Sequence, residues 1–283
     1  MLISAYVNGA TGGYPPPPRD HSRDAPRGIV KGWSRDAVRR QNKWLYSIDT
    51  DRLDQAGYAI TLTVRDCPAS ADEWSALRRA FFMRLTRAGM LRVHWLTEWQ
   101  RRKVPHLHAA IYFPAEMTER EVLRLVVLAW LELAADFGSS LKGMDCKPIS
   151  GAVGWLKYLS KHASRGVGHY QRNGHPPGWV KTGRLWGYGG LWPVVTPQRF
   201  TVPNGAASHR YRRLVRSWRV ADAKRSGDVR RIRAARRMYS STDPRVSAVR
   251  GMSEWTPEHV VLGFLGLLLS EGVRVEQLEG SDG

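Results

Sequence analysis

Two histidines separated by a single residue are the feature of this sequence whose types and spacing could do chemistry. His106 and His108 lie in the stretch PHLHAAIYF, and alternate side chains of a strand share one face. LRVHWLTEWQ precedes it as a second predicted strand, and the polar residues 101–103 between the two predict a hairpin turn. Pairing across that turn places Glu98 opposite His106 or His108.

Two imidazole nitrogens and one carboxylate oxygen suit a divalent cation that keeps open positions for substrate oxygens. A phosphate-bearing substrate favours Mg²⁺ or Mn²⁺, although Zn²⁺ accepts the same donors. The alternative is that the two histidines are ordinary surface residues of a strand. Glu98 in register favours a metal site with His106, His108 and Glu98 as its ligands.

A tyrosine on a cationic helix face is the second feature with chemical potential. Residues 152–163 predict a helix, on which Tyr158, Lys161 and Arg165 share a face at helical spacing. A phenol, with an ordinary pKa of about 10, becomes nucleophilic where neighbouring cations stabilise the phenolate. The alternative is a packed or hydrogen-bonding tyrosine.

Together these segments resemble a known family. TLT (residues 61–63), PHLH (residues 105–108) and YLSK (residues 158–161) occur in that order, and they are similar to the three motifs of HUH endonucleases of the rolling-circle replication initiator type. The resemblance covers roughly residues 43–195. It is strongest to the single-tyrosine replication proteins of filamentous phages and related plasmids.

The resemblance implies a role for each motif residue. His106 and His108 would bind the metal, and Glu98 would be the third ligand. Tyr158 would attack a phosphodiester of single-stranded DNA, leaving a 5′-phosphotyrosine and a free 3′-hydroxyl, and Lys161 would contact the scissile phosphate. The function expected is a metal-dependent, sequence-specific nickase and strand transferase that initiates rolling-circle replication of a phage or plasmid.

Two departures from the family pattern bear on this expectation. Larger two-tyrosine initiators have a second tyrosine one helical turn after the first, but position 162 is His, so rejoining would require a second protomer or another nucleophile. The sequence also lacks a GxxxxGK[ST] phosphate loop. A host helicase and a host polymerase are therefore the expected protein partners.

The charge balance favours a polyanionic partner. The chain has 44 Lys and Arg against 25 Asp and Glu, a formal net charge of +19, and such a surface attracts nucleic acid. The expected partner is single-stranded DNA or an origin hairpin. Aromatic and basic residues alternate between residues 169 and 190, where the rings could stack on bases or belong to the core. The cations expected to contact DNA are Arg101, Arg102, Lys103, Lys157, Arg165, Lys181, Arg184, Arg212, Arg213 and Arg216.

Cysteine usage and hydropathy point to the cytoplasm of a bacterial host. Cys67 and Cys146 have no CxxC spacing, which argues against a zinc-thiolate site or a disulfide framework. The N-terminus does not read as a signal peptide. The longest apolar stretch, residues 260–269, is too short to span a bilayer, so it is expected to form a packed or partner-facing helix.

The element pattern predicts an α+β fold. A central antiparallel sheet flanked by helices, the palm that the resemblance implies, would be followed by a basic helical C-terminal extension. The boundaries expected are a flexible Gly-, Pro- and Arg-rich arm over residues 1–40, an endonuclease domain over 41–205 and the extension over 206–283. Within the domain, Thr118 and Glu121 predict a capping box at the start of a helix.

Two other functions remain open from the sequence. Within the same superfamily, the chain could be a single-tyrosine transposase or a relaxase. From another class, it could be a non-catalytic basic nucleic-acid-binding protein whose segment 210–237 supplies the affinity. A metal-dependent covalent adduct with DNA would separate an enzyme from a binding module.

Overall fold

The computed structural model describes most of the chain as an α+β protein. The residues described are 1–14, 28–53, 56–149, 169–203, 205–225, 227, 229–237 and 252–278. Their strands and longer helices are, in chain order, β1 (Leu2–Tyr6), β2 (Gly9–Gly13), α1 (Arg35–Tyr46), β3 (Ala56–Thr63), α2 (Ala71–Arg87), β4 (Arg92–Trp99), β5 (Pro105–Phe113), α3 (Glu119–Leu133), β6 (Met144–Pro148), β7 (Trp186–Gly190), β8 (Gln198–Thr201), α4 (Ala206–Arg225), α5 (Val229–Arg237), β9 (Met252–Glu254), α6 (Glu258–Ser270) and β10 (Glu276–Leu278).

The chain divides into two compact units. The first, here called the histidine unit, comprises Ala25–Asn42 and Thr50–Pro193. The second, here called the terminal unit, comprises Met1–Asp24, Lys43–Asp49 and Val194–Gly283. Each unit has its own five-stranded antiparallel sheet, so the α+β class expected from the sequence is confirmed.

The sheet of the histidine unit has the strand order β6-β3-β5-β4-β7. Helices α2 and α3 cover one of its faces, on which the Trp74 indole donates to the Thr97 hydroxyl at 3.1 Å and the Arg78 guanidinium lies 3.6 Å from the centre of the Trp95 ring. Because side chains alternate along a strand, His94 and Glu98 of β4 point to the opposite face. The helices therefore leave the histidine face of the sheet to other segments.

Helix α3 begins as its sequence predicts. The Thr118 hydroxyl accepts from the Glu121 main-chain N–H, and the Glu121 carboxylate accepts from that of Thr118. This confirms the capping box, which satisfies two main-chain donors that the first helical turn leaves without partners. Val122, Val126 and Trp130 lie on the buried side of the helix, and this anchoring holds α3 against the sheet.

The terminal unit brings the two ends of the chain into one sheet. Its strand order is β10-β8-β1-β2-β9, and its core joins Ile3 of β1 and Phe200 of β8 to buried side chains of α4 and α6. The apolar stretch 260–269 lies in α6, where Val261 and Leu265 are buried, so its packed alternative is the one observed. In the part of the chain that the structure describes, no helix has the length and apolar character needed to cross a membrane.

The prediction of a flexible arm over residues 1–40 is wrong for its first 13 residues. Leu2–Tyr6 and Gly9–Gly13 pair as strands, and β1 also pairs with Gln198–Thr201. Main-chain hydrogen bonds to a strand from the other end of the chain hold this glycine-rich segment, and local composition does not report them. Residues 15–27, with the proline run, lie outside the described residues.

The domain boundaries also differ from those expected. The terminal unit resumes at Val194, before the predicted boundary at residue 206, because β8 pairs with the N-terminal strand β1. The C-terminal region is helical and basic in α4 and α5, as predicted. It belongs to a sheet-containing unit rather than forming an extension of its own.

Candidate functional site

The β4–β5 hairpin has the register that the sequence predicts. Glu98 pairs with His106, and Leu96 pairs with His108. The turn is closed by hydrogen bonds between Gln100 and the residues that follow, and Lys103 takes the left-handed conformation with a φ of 63°. The hairpin therefore places Glu98, His106 and His108 on one face of the sheet.

The two histidine rings are in contact at the centre of this face. Their centroids are 4.2 Å apart with an interplanar angle of 81°, and His108 is only 4% exposed, whereas His106 is half-buried. Thr61 pairs with His108 from β3, and its hydroxyl lies 3.1 Å from His108 Nδ1. With the Nδ1 proton donated to Thr61, the Nε2 lone pair of His108 is available to a cation.

Glu98 is the charged member of the site. Its side chain is fully buried, with Oε2 3.9 Å from His108 Nε2. Oε1 accepts a hydrogen bond of 3.0 Å from Nε of Arg172, whose side chain is also fully buried. A buried carboxylate is retained at low cost only when it is paired and hydrogen-bonded, and Arg172 supplies both conditions.

The donors suit a divalent cation in chemistry, and Glu98 sets the limit in geometry. Two donors bound to one ion at about 2.1 Å lie at most about 4.2 Å apart, and the separation of 3.9 Å between His108 Nε2 and Glu98 Oε2 falls within that span. Among the described residues, no three His, Cys, Asp or Glu side chains converge as a finished metal site. Glu98 would therefore be the third donor after a small shift of its carboxylate.

Removing the Thr61 hydroxyl is expected to weaken metal binding. Thr61→Val keeps the shape of the side chain but deletes the partner of His108 Nδ1, and loss of such a partner costs about 10- to 100-fold in metal affinity. Titration calorimetry with Mn²⁺ measures the effect, and Thr61→Ser, which keeps a hydroxyl, is the matched control. An Mn²⁺ affinity within twofold of the unsubstituted protein would contradict this orienting role.

Arg172 is the residue of this site that sequence reasoning missed. Its guanidinium lies 4.2 Å from the centre of the Trp33 ring, and the Trp33 indole donates to the Thr97 carbonyl at 3.0 Å. Trp33 thus holds the arginine beside Glu98 from a segment that precedes the sheet. Arg172 belongs to the basic–aromatic stretch 169–190, but its spacing does not distinguish it there from a solvent-exposed cation.

His94 lies on the same face but in a different environment. It is fully buried, and burial lowers the pKa of its imidazole to about 3, so the ring stays neutral near pH 7. Its Nε2 lies 3.5 Å from Nε2 of Gln41 in α1. Alternation along β4 shows that His94 and Glu98 share a face, but the depth of burial of His94 depends on packing.

The predicted nucleophile helix is not part of the described structure. Tyr158 and Lys161, together with the predicted DNA contacts Lys157 and Arg165, lie outside the described residues. The roles of these four residues therefore remain predictions.

The cations of the hairpin turn bind main-chain oxygens of neighbouring segments. Arg102 donates to the carbonyls of Val64 and Arg65, the former at 2.5 Å, and Lys103 Nζ donates to the Asn173 carbonyl at 2.7 Å. Arg101 is exposed, with its guanidinium 5.6 Å from the centre of the Tyr170 ring. Of the three, Arg101 is the most available to a phosphate.

The other predicted DNA contacts fall into two groups. Lys181 and Arg184 are exposed in the histidine unit, where Lys181 pairs with Asp72 at 2.8 Å. Arg212, Arg213 and Arg216 lie together on α4 of the terminal unit, where they line one pocket. The structure therefore groups the latter three and leaves the former two apart.

Comparison with known proteins identifies the family. A family model for replication-associated proteins of the phage and plasmid ORF2 type matches residues 57–163. A putative replication protein of Xylella fastidiosa is 49% identical over 282 residues, which cover 97% of this chain and 98% of that protein. This chain belongs to the ORF2 family of replication-associated proteins. The resemblance to rolling-circle replication initiators, first drawn from three short motifs, is confirmed at the level of the family.

Further relatives extend the match over most of the chain. A replication-associated protein of Pseudomonas phage Pf3 is 45% identical over 250 residues, covering 87% of this chain and 88% of the phage protein. A second putative replication protein of Xylella fastidiosa is 47% identical over 262 residues, covering 90% of this chain and 98% of that protein. No solved structure matches the chain. Similarity over this length includes both units, so the family relationship is not confined to the hairpin.

Proposed function

We propose that this member of the ORF2 family is a metal-dependent nickase that cuts single-stranded DNA at a replication origin through a tyrosine nucleophile. The observation that carries the proposal is the hairpin register, which places Glu98 opposite His106 with the His106 and His108 rings in contact. The family model spans this hairpin and extends through the YLSK segment at residues 158–161.

The site residues would divide the work between binding and attack. His106 and His108 would hold Mg²⁺ or Mn²⁺, with Glu98 as the third donor. When bound, the cation would polarise the scissile phosphate and neutralise charge that develops on its oxygens. Thr61 would fix the tautomer of His108, and Arg172 would fix the position of Glu98.

The Tyr158 hydroxyl would be the nucleophile of the cleavage step. Its oxygen would form a bond to phosphorus while the bond between phosphorus and the 3′ oxygen breaks. The phenol would lose its proton, the 3′ oxygen would gain one, and Lys161 would contact the phosphate. The 5′-phosphotyrosine retains the bond energy, so a later attack by a free 3′-hydroxyl could reseal the strand.

A covalent-adduct assay tests this function directly. Labelled single-stranded oligonucleotides that tile the non-coding region of the replicon are incubated with the full chain and separated under denaturing conditions. We expect one oligonucleotide to give a gel-stable adduct with Mn²⁺, none with EDTA, and recovery when Mn²⁺ is added back.

The matched control is the double substitution His106→Ala/His108→Ala, which is expected to form no adduct with any metal. An adduct that persists in EDTA would overturn the metal role of the histidines. Absence of an adduct from every oligonucleotide in Mn²⁺ would instead support a non-catalytic DNA-binding protein.

The remaining parts of the proposal concern the cellular setting. The chain would act on a phage or plasmid replicon in the cytoplasm of a bacterial host. A host helicase would separate the strands, because the sequence has no phosphate loop of the GxxxxGK[ST] type, and a host polymerase would extend the free 3′-hydroxyl.

A further inference from the structure

A cationic surface on the terminal unit has no part in the proposed cleavage step. Four side chains of α4, spaced by three or four residues, line a pocket of about 270 Å³: His209, Arg212, Arg213 and Arg216. They lie away from the buried stripe of the same helix, which includes Tyr211 and Val215. That stripe packs into the core of the unit, so the sheet side holds the helix while the cations face outward.

Helix α5 adds further positive charge beside α4. Its sequence, VRRIRAARR, contains no acidic residue, and Arg233 and Arg236 are exposed. The Arg216 guanidinium donates to the Arg236 carbonyl at 2.8 and 3.2 Å. A cation at the carbonyl end of a helix is favourable, so Arg216 holds the end of α5 against α4.

Carboxylates compensate only part of this charge. Arg210 pairs with Glu271 and Arg225 with Asp222, whereas within the described ranges Arg213 and Arg216 contact no carboxylate. Like charges at helical spacing destabilise a helix, and concentrated charge of one sign opposes compact packing. A polyanion bound across the surface would remove this repulsion.

We propose that the α4–α5 pair, here called the α4–α5 surface, binds the phosphate backbone of double-stranded DNA. Single-strand binding relies on exposed rings that stack on bases, but Tyr211 is fully buried and Trp218 is half-buried, with its indole donating to the Trp255 carbonyl. No aromatic residue occurs in α5.

Charge without exposed rings suits regular phosphate rows. Helix α4 has 20 residues, which corresponds to a length of about 30 Å, and B-form DNA presents one phosphate per about 1.7 Å of its axis. An anionic membrane fits less well, because interfacial helices insert an apolar face and that of α4 is in the core. The contacts would be independent of base sequence, and they go beyond the cutting of a single strand.

Duplex affinity as a function of salt tests this proposal without any cleavage chemistry. Binding of the full chain to a labelled 30-base-pair duplex of unrelated sequence is measured by fluorescence anisotropy in EDTA, between about 0.05 and 0.3 M salt. For Arg213→Gln/Arg216→Gln we expect affinity to fall at least about tenfold near 0.1 M salt. The slope of log K against log salt should become shallower by about 2.

Two further variants keep the test decisive. Arg213→Gln alone, which leaves the bond to Arg236 intact, should lower the slope by about 1 and answers the case in which the double variant misfolds. Arg124→Gln removes the same charge from an exposed position on α3 and should leave duplex affinity unchanged.

Three results would overturn the proposal. They are unchanged duplex affinity in the folded Arg213→Gln variant, an equal loss in Arg124→Gln, and at least tenfold tighter binding to double-stranded RNA than to DNA of the same sequence. Because the measurement uses EDTA and uncut duplex, failure of the cleavage proposal would not affect it.

Discussion

Tyr158→Phe is expected to abolish the covalent protein–DNA adduct. The substitution removes only the hydroxyl oxygen that would bond to phosphorus, so no alternative path to a 5′-phosphotyrosine remains at that position. Loss of a nucleophile lowers the rate by more than about a thousandfold. Denaturing gels with the reactive oligonucleotide in Mn²⁺ measure the adduct, and anisotropy in the same buffer should show that the DNA still binds.

Tyr188→Phe is the matched control for this experiment. Tyr188 lies on β7, is 51% exposed and pairs with His94 across the sheet, so it is a second hydroxyl presented beside the histidine face. We expect this variant to retain the adduct. Retention of the adduct in Tyr158→Phe together with its loss in Tyr188→Phe would assign the nucleophile to the edge strand instead.

Arg172→Gln is expected to destabilise the protein by about 3–5 kcal/mol. Both side chains of the Arg172–Glu98 pair are fully buried, and removing one partner leaves the other charge in a medium that solvates it poorly. Urea denaturation in EDTA measures the free energy of unfolding. Mn²⁺ should restore part of the loss, because a cation bound beside Glu98 supplies the positive charge that the substitution removes.

The double variant Glu98→Gln/Arg172→Gln provides the control for charge. With both charges removed, most of the penalty of the single substitution should disappear, since neutral groups in contact no longer impose the cost of an uncompensated charge. A free energy of unfolding for Arg172→Gln within about 0.5 kcal/mol of the unsubstituted protein would show that the pair does not hold the site together.

The sequence was most informative where the determining interactions are local. Residues 91–113 alternate in the pattern of a hairpin with a short polar turn, and the structure reproduces both the strands and the opposition of Glu98 to His106. The capping box of α3 was equally readable, because Thr118 and Glu121 are three residues apart. In both cases neighbouring residues supply the hydrogen bonds.

Interactions between distant segments could not be read in the same way. Strand β1 pairs with residues 198–201, so composition alone made the N-terminus resemble a flexible arm. Arg172 is 74 residues from Glu98 in the chain, and its burial depends on Trp33, which comes from yet another segment. Cooperative burial of such groups has no periodic pattern that a single sequence displays.

By itself, the sequence determined the hairpin, the histidine pair, the order of the three motifs and, through them, the family. These follow from the alternation of side chains along a strand and from short spacings that fix which groups share a face. Only the tertiary structure decided that Glu98 is buried against Arg172, that Thr61 contacts His108, and that the chain ends share a second sheet carrying the α4–α5 surface. Each of these depends on which distant segments exclude water together, and burial of that kind is a property of the folded chain.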